Sequence, residues 1–214
     1  FDEALRALRE NVLLMASLTE RNLNNAMTGL LDRDDERCAL AIADDAEIDE
    51  LEKQIDQQGI DVLLRFQPVA SDLRRVVSAI KLNSNLERMA DQAVTIGRRA
   101  RKLNAHPPLP QMLLIEPMYT HALDMLRDSV DAYMREDADL AREIGPRDKI
   151  LDEMNSEAGS ILTEKMAEDP DQLRGYLNLM LIARCLERVG DHATNIAEDA
   201  VYAVAAVDIR HLHA

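Results

Sequence analysis

Apolar positions along this chain recur three and four residues apart. Leu5, Leu8, Val12, Met15 and Leu18 form one such stripe, the spacing that lines one face of an α-helix. The pattern predicts a first helix from about Asp2 to Leu31, yielding at Asp32-Arg33-Asp34, where an aspartate caps the next. A second runs on to about Phe66 and stops at Gln67-Pro68. A third starts near Ser71 and ends in Arg98-Arg99-Ala-Arg101-Lys102, a basic cluster read as compensation of the helix dipole. Pro107-Pro108-Leu-Pro110 is the strongest break in the chain. Beyond it a fourth helix is predicted from about Met112 to Arg135, a fifth from Asp139 to Ala167 and a sixth from Asp171 to about Val207. Gly145-Pro146 lies inside the fifth, so a kink or break is expected there. No run of strict alternation is long enough for a strand. Short turns between long helices predict an all-α chain of two tandem antiparallel three-helix bundles, residues 1–106 and 111–214.

The two halves also repeat one another at a spacing of 100 residues. Leu73-Arg74 returns as Leu173-Arg174, and Leu86-Glu87-Arg88-Met-Ala-Asp91 returns as Leu186-Glu187-Arg188-Val-Gly-Asp191. Ala93, Ile96 and Ala100 match Ala193, Ile196 and Ala200 in the same frame. One structural unit has been duplicated, and residues kept in both copies include a Glu-x-x-x-Asp pair.

Composition narrows the class. Apolar residues make up 47% of the 214, but aromatics only 3%, so the core is built from Leu, Ile, Val, Met and Ala, as in helical bundles. A formal charge of −15 argues against generic nucleic-acid binding, which rests on neutralising phosphates, and against docking on an anionic membrane. The most apolar stretch, Leu177 to Ile182, is short and ended by Arg184, so no membrane span is predicted. Cys38 and Cys185 make no disulfide framework, and no secretory signal is evident, so a reduced, intracellular chain is expected.

Several acids stand out by position. Carboxylates four apart on a helix lie on one face, about 5–6 Å apart at Cβ. A lone pair means little in so acidic a chain. Here Asp45 and Asp49, with Glu52 on the same stripe, occupy the second helix, and Asp148 and Asp152, with Asn155 in the place of Glu52, the fifth. Glu87/Asp91 and Glu187/Asp191 occupy the third and sixth. A hairpin turning at position 68 brings Asp49 opposite Glu87 and Asp45 opposite Asp91. A turn at Asp169-Pro170 does the same for Asp152 with Glu187 and Asp148 with Asp191. On a helical wheel Glu87 and Asp91 sit about 100–140° from Leu86, at the flank of the apolar arc. Two carboxylates ~6 Å apart repel by about 3 kcal/mol at an effective dielectric near 20. Converging acids therefore need protons, arginines or metal cations. Arg88 and Arg188 offer ion pairs; the matched register favours metal, held by Asp45, Asp49, Glu52, Glu87, Asp91, Asp148, Asp152, Glu187 and Asp191. Oxygen ligands suit Mg, Mn and Ca and also accept iron or zinc. His192 follows Asp191 and could add a nitrogen ligand, but its counterpart in the other copy is Gln92, so it is no shared ligand; His106, His121, His211 and His213 are read as structural or surface residues.

These features together resemble the PhoU family of phosphate-transport accessory regulators, over nearly the whole chain. The resemblance rests on the tandem repeat, on Gln67-Pro68-Val-Ala-Ser-Asp72-Leu73-Arg74, and on Ala183-Arg184-Cys-Leu186-Glu187-Arg188-Val-Gly-Asp191-His192-Ala193-Thr-Asn195-Ile196-Ala197-Glu198. It rests also on the Glu/Asp-x-x-x-Asp motif at 45/49, 87/91, 148/152 and 187/191. The resemblance implies multinuclear iron or zinc at these motifs, another divalent cation being an alternative. It implies a cytoplasmic dimer or higher oligomer that acts with the phosphate ABC transporter, its ATPase PstB and the sensor kinase PhoR to repress the phosphate-starvation response. Asn155 departs from the first copy, so the second site is expected to hold fewer or weaker metals. A metal with an open coordination position would also attract phosphate, which bare carboxylates repel.

The competing readings are a ferritin-like carboxylate metalloenzyme and a metal-free helical adaptor for arginine-rich partners. The first lacks its Glu-x-x-His signature. No Ser-His-Asp arrangement, Cys-x-x-Cys motif or phosphate-cradling glycine loop is evident, so no catalytic residue is assigned and a non-enzymatic regulator is expected.

Overall fold

In the computed structural model, which describes residues 1–209, eight α-helices follow one another without a strand among the described residues. They are α1 (Asp2–Leu31), α2 (Asp35–Ala43), α3 (Asp45–Phe66), α4 (Ala70–Asn104), α5 (Ile115–Arg135), α6 (Ala138–Arg142), α7 (Ile144–Glu168) and α8 (Leu173–Ala205). Six are long and form two three-helix bundles. In the first, α1 and α4 run parallel and α3 runs against both. Thr19 Oγ1 donates to the Leu86 carbonyl (3.3 Å), and Asn11 Nδ2 on α1 donates to Gln58 Oε1 on α3 (2.8 Å). Helices α5, α7 and α8 repeat the arrangement.

The turn after the first helix of each bundle has one design. Arg33 and Glu136 are left-handed, with φ of 58° and 57°. Each lets the following aspartate send its N–H back five residues, Asp34 to Gly29 and Asp137 to Ala132, the bond that closes a Schellman turn. The same aspartates cap α2 and α6. Asp34 accepts from Glu36 and Arg37, and Asp137 from Asp139 and Leu140.

The expected second and fifth helices are each broken in two. The joint at Asp44 leaves the apolar stripe in phase from Cys38 and Ala41 to Ile48, Leu51 and Ile55, so periodicity reads it as continuous. Arg21 ties this joint to α1 through Asp44 (3.2 Å) and Glu47 (2.8 Å). The other break falls at Glu143, ahead of the expected Gly145-Pro146. Proline has no N–H to donate, which a helix tolerates only in its first turn; α7 therefore starts at Ile144 and Pro146 occupies that turn. Two helices also begin later than expected. Pro110–Leu114 and Pro170–Gln172 are 3₁₀ turns, and α5 and α8 start at Ile115 and Leu173. At the other end α8 stops at Ala205, and left-handed Ala206 ends it. His211 and His213 lie outside the described residues.

The bundles meet chiefly along α4 and α8, the most extensive helix pair in the molecule. These run antiparallel: Ser78 Oγ donates to the Asp199 carbonyl (3.2 Å), His192 Nδ1 to Asn85 Oδ1 (3.0 Å) and Arg99 Nη1 to Asn178 Oδ1 (3.1 Å). The first and last of these contacts are mates under the hundred-residue repeat, Ser78 with Asn178 and Arg99 with Asp199. A pseudo-twofold axis therefore crosses the seam next to Arg88 and Arg188.

At Gly29 α2 packs closely against α1. A Cβ there would collide with Cys38 Sγ and lie 2.9 Å from the Cys38 nitrogen. Gly29→Ala is expected to lower stability by about 1–3 kcal/mol; urea denaturation measures this, and an unchanged midpoint would mean that α2 shifts without cost.

Candidate metal centres

Each hairpin brings its predicted acids together. In the first, Asn83 on α4 sets the register by donating to the Glu52 carbonyl and to Asp56 Oδ1, both at 3.0 Å. That places Asp45, Asp49 and Glu52 of α3 against Glu87 and Asp91 of α4. Glu87 feels this most. Burial first, and then Asp91, Glu52 and Asp49, push its carboxyl up to about 7, with Arg88 working against them. Asp45 is raised by burial and by Asp49 and Asp91, and Glu52 by burial, Asp56 and Asp49.

The second hairpin gathers Asp148 and Asp152 of α7 with Glu187 and Asp191 of α8. Asp148 is pushed up to about 7 by burial, then by Asp191 and Asp152, while Thr194 partly opposes the shift. Glu187 is raised by burial and by Asp191. Asp191 is raised by loss of water and by Asp152, although much of the residue remains exposed. Gly190 makes room for this packing: a Cβ there would meet Leu151 Cδ2 at 2.5 Å and Asp148 Oδ1 at 2.9 Å. The first copy carries Ala90 instead.

All nine predicted acids thus fall into two clusters, one per bundle. Among the described residues, no three His, Cys, Asp or Glu side chains stand closed around a common point. The clusters nonetheless hold the donors that a hard or borderline cation takes. Glu87 Oε2, Asp148 Oδ1 and Glu187 Oε2 are buried without a hydrogen-bond partner, a costly state that cation binding relieves. Among the described residues, arginine ion pairs to the predicted acids occur in the first cluster only: Arg88 reaches Glu87 at 3.4 Å and Asp91 at 3.7 Å, contacts too long for good hydrogen bonds.

Sequence reasoning missed Asp56, although the run 45, 49, 52, 56 continues one helical stripe that would have found it. The second copy has Asn155 and Gly159 at the corresponding places, so its cluster is the poorer in oxygen donors. His192 donates to Asn85 at the α4–α8 seam, in a hollow that Asp91, Asp148 and Asp191 also line; burial, Arg88 and Arg188 lower its pKa. His121 lies against the Arg147 carbonyl at 2.8 Å. Of the basic cluster, only Arg101 and Lys102 sit in the last turn of α4; Arg98 and Arg99 instead line a hollow against α8.

The PhoU domain matches this sequence twice, over residues 12–100 and 115–200. The chain belongs to the PhoU family. It is 36% identical over 213 residues to the phosphate-specific transport system accessory protein PhoU homolog of Pseudomonas putida, covering 99% of this chain and 83% of that one. It is 32% identical to the Escherichia coli accessory protein PhoU, covering 99% and 88%. The crystal structure of PhoU from Pseudomonas aeruginosa superposes with a TM-score of 0.94 at 35% identity, over 97% of this chain and all of that one. PhoU from Streptococcus pneumoniae follows at 0.86 and 26% identity, over 97% and 98%. The fold of six long helices in two repeats is therefore that of the PhoU structures.

The raised carboxyls carry a sign for stability. Glu87 and Asp148 titrate at about 7 when folded, against ordinary values of 4.5 and 3.8. Between those limits the folded chain holds more protons than the unfolded one, so stability is highest at the acid end and falls as pH rises. In chelator-treated protein the urea midpoint is expected to decline from about pH 5 to about pH 8, and Asp148→Asn to flatten that decline. A midpoint that climbs over this range would contradict the arrangement.

Proposed function

We propose that this chain is a non-enzymatic regulatory accessory of phosphate uptake that holds iron or zinc in multinuclear form at its two carboxylate clusters. The observation that carries the metal is the pair of clusters, each spanning a helical hairpin and each with at least one buried carboxylate oxygen that accepts no hydrogen bond. Asp45, Asp49, Glu52, Glu87 and Asp91 would hold the first group, and Asp148, Asp152, Glu187 and Asp191 the second. Bound cations supply positive charge that cross-links α3 to α4 and α7 to α8. The residues around them orient the carboxylates: Asn83 sets the α3–α4 register, and Gly190 lets Asp148 lie against α8.

Support for the regulatory role is the kinship over nearly the full length with proteins named phosphate-specific transport system accessory proteins. The chain works by contact, in the cytoplasm, as a dimer or higher oligomer, with the transporter ATPase PstB and the sensor kinase PhoR, to restrain the phosphate-starvation response. Among the described residues no helix is long and apolar enough to cross a membrane. A metal-free adaptor is the second reading, and the observation favouring it is the reach of Arg88 to Glu87 and Asp91.

Elemental analysis separates the two. The purified chain is expected to carry several iron or zinc atoms, lost in Asp49→Ala/Asp91→Ala/Asp152→Ala/Asp191→Ala while helicity by circular dichroism persists. Metal well below one atom per chain in both proteins would leave the adaptor. For the role itself, expression in a bacterium lacking its own family member is expected to restore repression of a phosphate-starvation reporter in high phosphate. Continued derepression with folded, expressed protein would count against it.

A further inference from the structure

The pseudo-twofold seam has two ends built from equivalent positions, and they carry opposite charge. At one end Arg98 and Arg99 on α4 face Arg184 and Arg188 on α8 across a hollow of about 410 Å³, with Gln92 and Thr95 beside them. One hundred residues on, the counterparts of Arg98 and Arg99 are Glu198 and Asp199, and Arg184 answers to Ser84. That other end cancels its cation internally, since Lys81 Nζ lies 2.8 Å from Asp199 Oδ1. The same backbone therefore accepts either charge, and packing does not require the arginines.

Within its lining the basic end is not neutralised: Asp45 and Asp91 stand against four guanidinium groups, a surplus of two positive charges in a chain whose net charge is −15, while Glu187 and Asp191 act on Arg184 and Arg188 from outside the hollow. None of the four arginines closes an ion pair among the described residues. Arg99 Nη1 is held by Asn178 at 3.1 Å, while its Nε is buried without a partner. Arg98, Arg184 and Arg188 are exposed. Guanidinium forks match the oxygens of a tetrahedral anion, and arginine sheds water more readily than lysine. The volume suits a small ligand, not a protein surface. A carboxylate would answer only half the surplus, whereas a phosphate group carries about 1.5–2 negative charges at neutral pH.

We propose that the hollow between α4 and α8 is a phosphate-binding site, in which Arg98, Arg99, Arg184 and Arg188 hold the anion without a metal ion. The anion is either free phosphate or the phosphoryl group of a small ester. The site shares Asp45 and Asp91 with the first carboxylate cluster but needs no metal ion, and it replaces capture of phosphate by a cluster-bound cation.

The test is isothermal titration of the full chain, stripped of metal with chelator, with inorganic phosphate and separately with glycerol phosphate. Saturable binding of one anion per chain is expected, weakened about tenfold or more by Arg98→Gln/Arg184→Gln and unchanged by Asp49→Asn/Asp152→Asn. Tighter binding of the ester with the same arginine dependence identifies the source as an ester. Both substitutions fall on exposed side chains, and circular dichroism checks that the fold is kept. The proposal is overturned by absence of saturable binding of either anion. It is also overturned by binding indifferent to the arginine variant, by binding that needs added metal, or by displacement of the phosphate by a glutamate-rich peptide that binds more tightly. If the carboxylate clusters bind no metal while this hollow binds phosphate, the metal reading alone falls.

Discussion

Helices α4 and α8 lie antiparallel across a pseudo-twofold axis, and the placement of both acidic clusters and of the seam arginines depends on that contact. Each is the third helix of its own bundle and also the wall against the other bundle, so it must be apolar on two faces. Leu86, Met89, Ala90, Ala93, Ile96 and Ala100 do this on α4, and Leu186, Val189, Gly190, Ala193, Ile196 and Ala200 on α8; all are buried. Alanine and glycine recur because a close helix pair leaves little room for longer side chains. What remains of each helix is a narrow arc beside α3 or α7. The acids at 87, 91, 187 and 191 occupy that arc, and the antiparallel seam brings the two arcs together. Asp91, Asp148 and Asp191 consequently line a single hollow with Arg88 and Arg188.

This arrangement concentrates unfavourable electrostatics instead of dispersing it. Most of the chain's surplus acid is solvated and costs little, but the clusters sit partly out of water next to like charges. Protonation is one relief, which is why Glu87 and Asp148 are both pushed up to about 7. The arginines near the axis are another. Arg188 and Arg184 draw Glu187 and Asp191 back toward ionisation without closing ion pairs upon them. A stable bundle has no need of such a site, and groups kept at a cost are usually kept for what they bind.

Duplication shows where the fold constrains the residues and where it does not. The turns at Arg33-Asp34 and Glu136-Asp137 keep one geometry because a left-handed residue and a capping aspartate are needed to reverse each helix. The core positions keep their apolar character for the same reason. Glu52 and Asp56 answer to Asn155 and Gly159, and Arg98-Arg99 to Glu198-Asp199, with no change in backbone. Those positions face water or a hollow, and there the two copies have diverged in chemistry.

The all-α architecture, the six long helices and the pairing of acids across each hairpin were all legible in the sequence. The reason is physical: helical period, proline turns and a conserved offset are local or register properties, and a turn at Gln67-Pro68 sets which residues of its two arms can meet. The sequence did not reveal the joint at Asp44, where the apolar stripe runs on in phase, and it placed the second break at Gly145-Pro146, which proline shifts upstream to Glu143. It also left Arg98 and Arg99 looking like a helix-end cluster. Their role depends on how one bundle lies against the other, and that is decided by the fit of two apolar faces far apart in the chain, which no local pattern encodes. The sequence alone determined the helices and the partners within each hairpin; only the tertiary structure decided that both acidic clusters and the arginines share the α4–α8 seam.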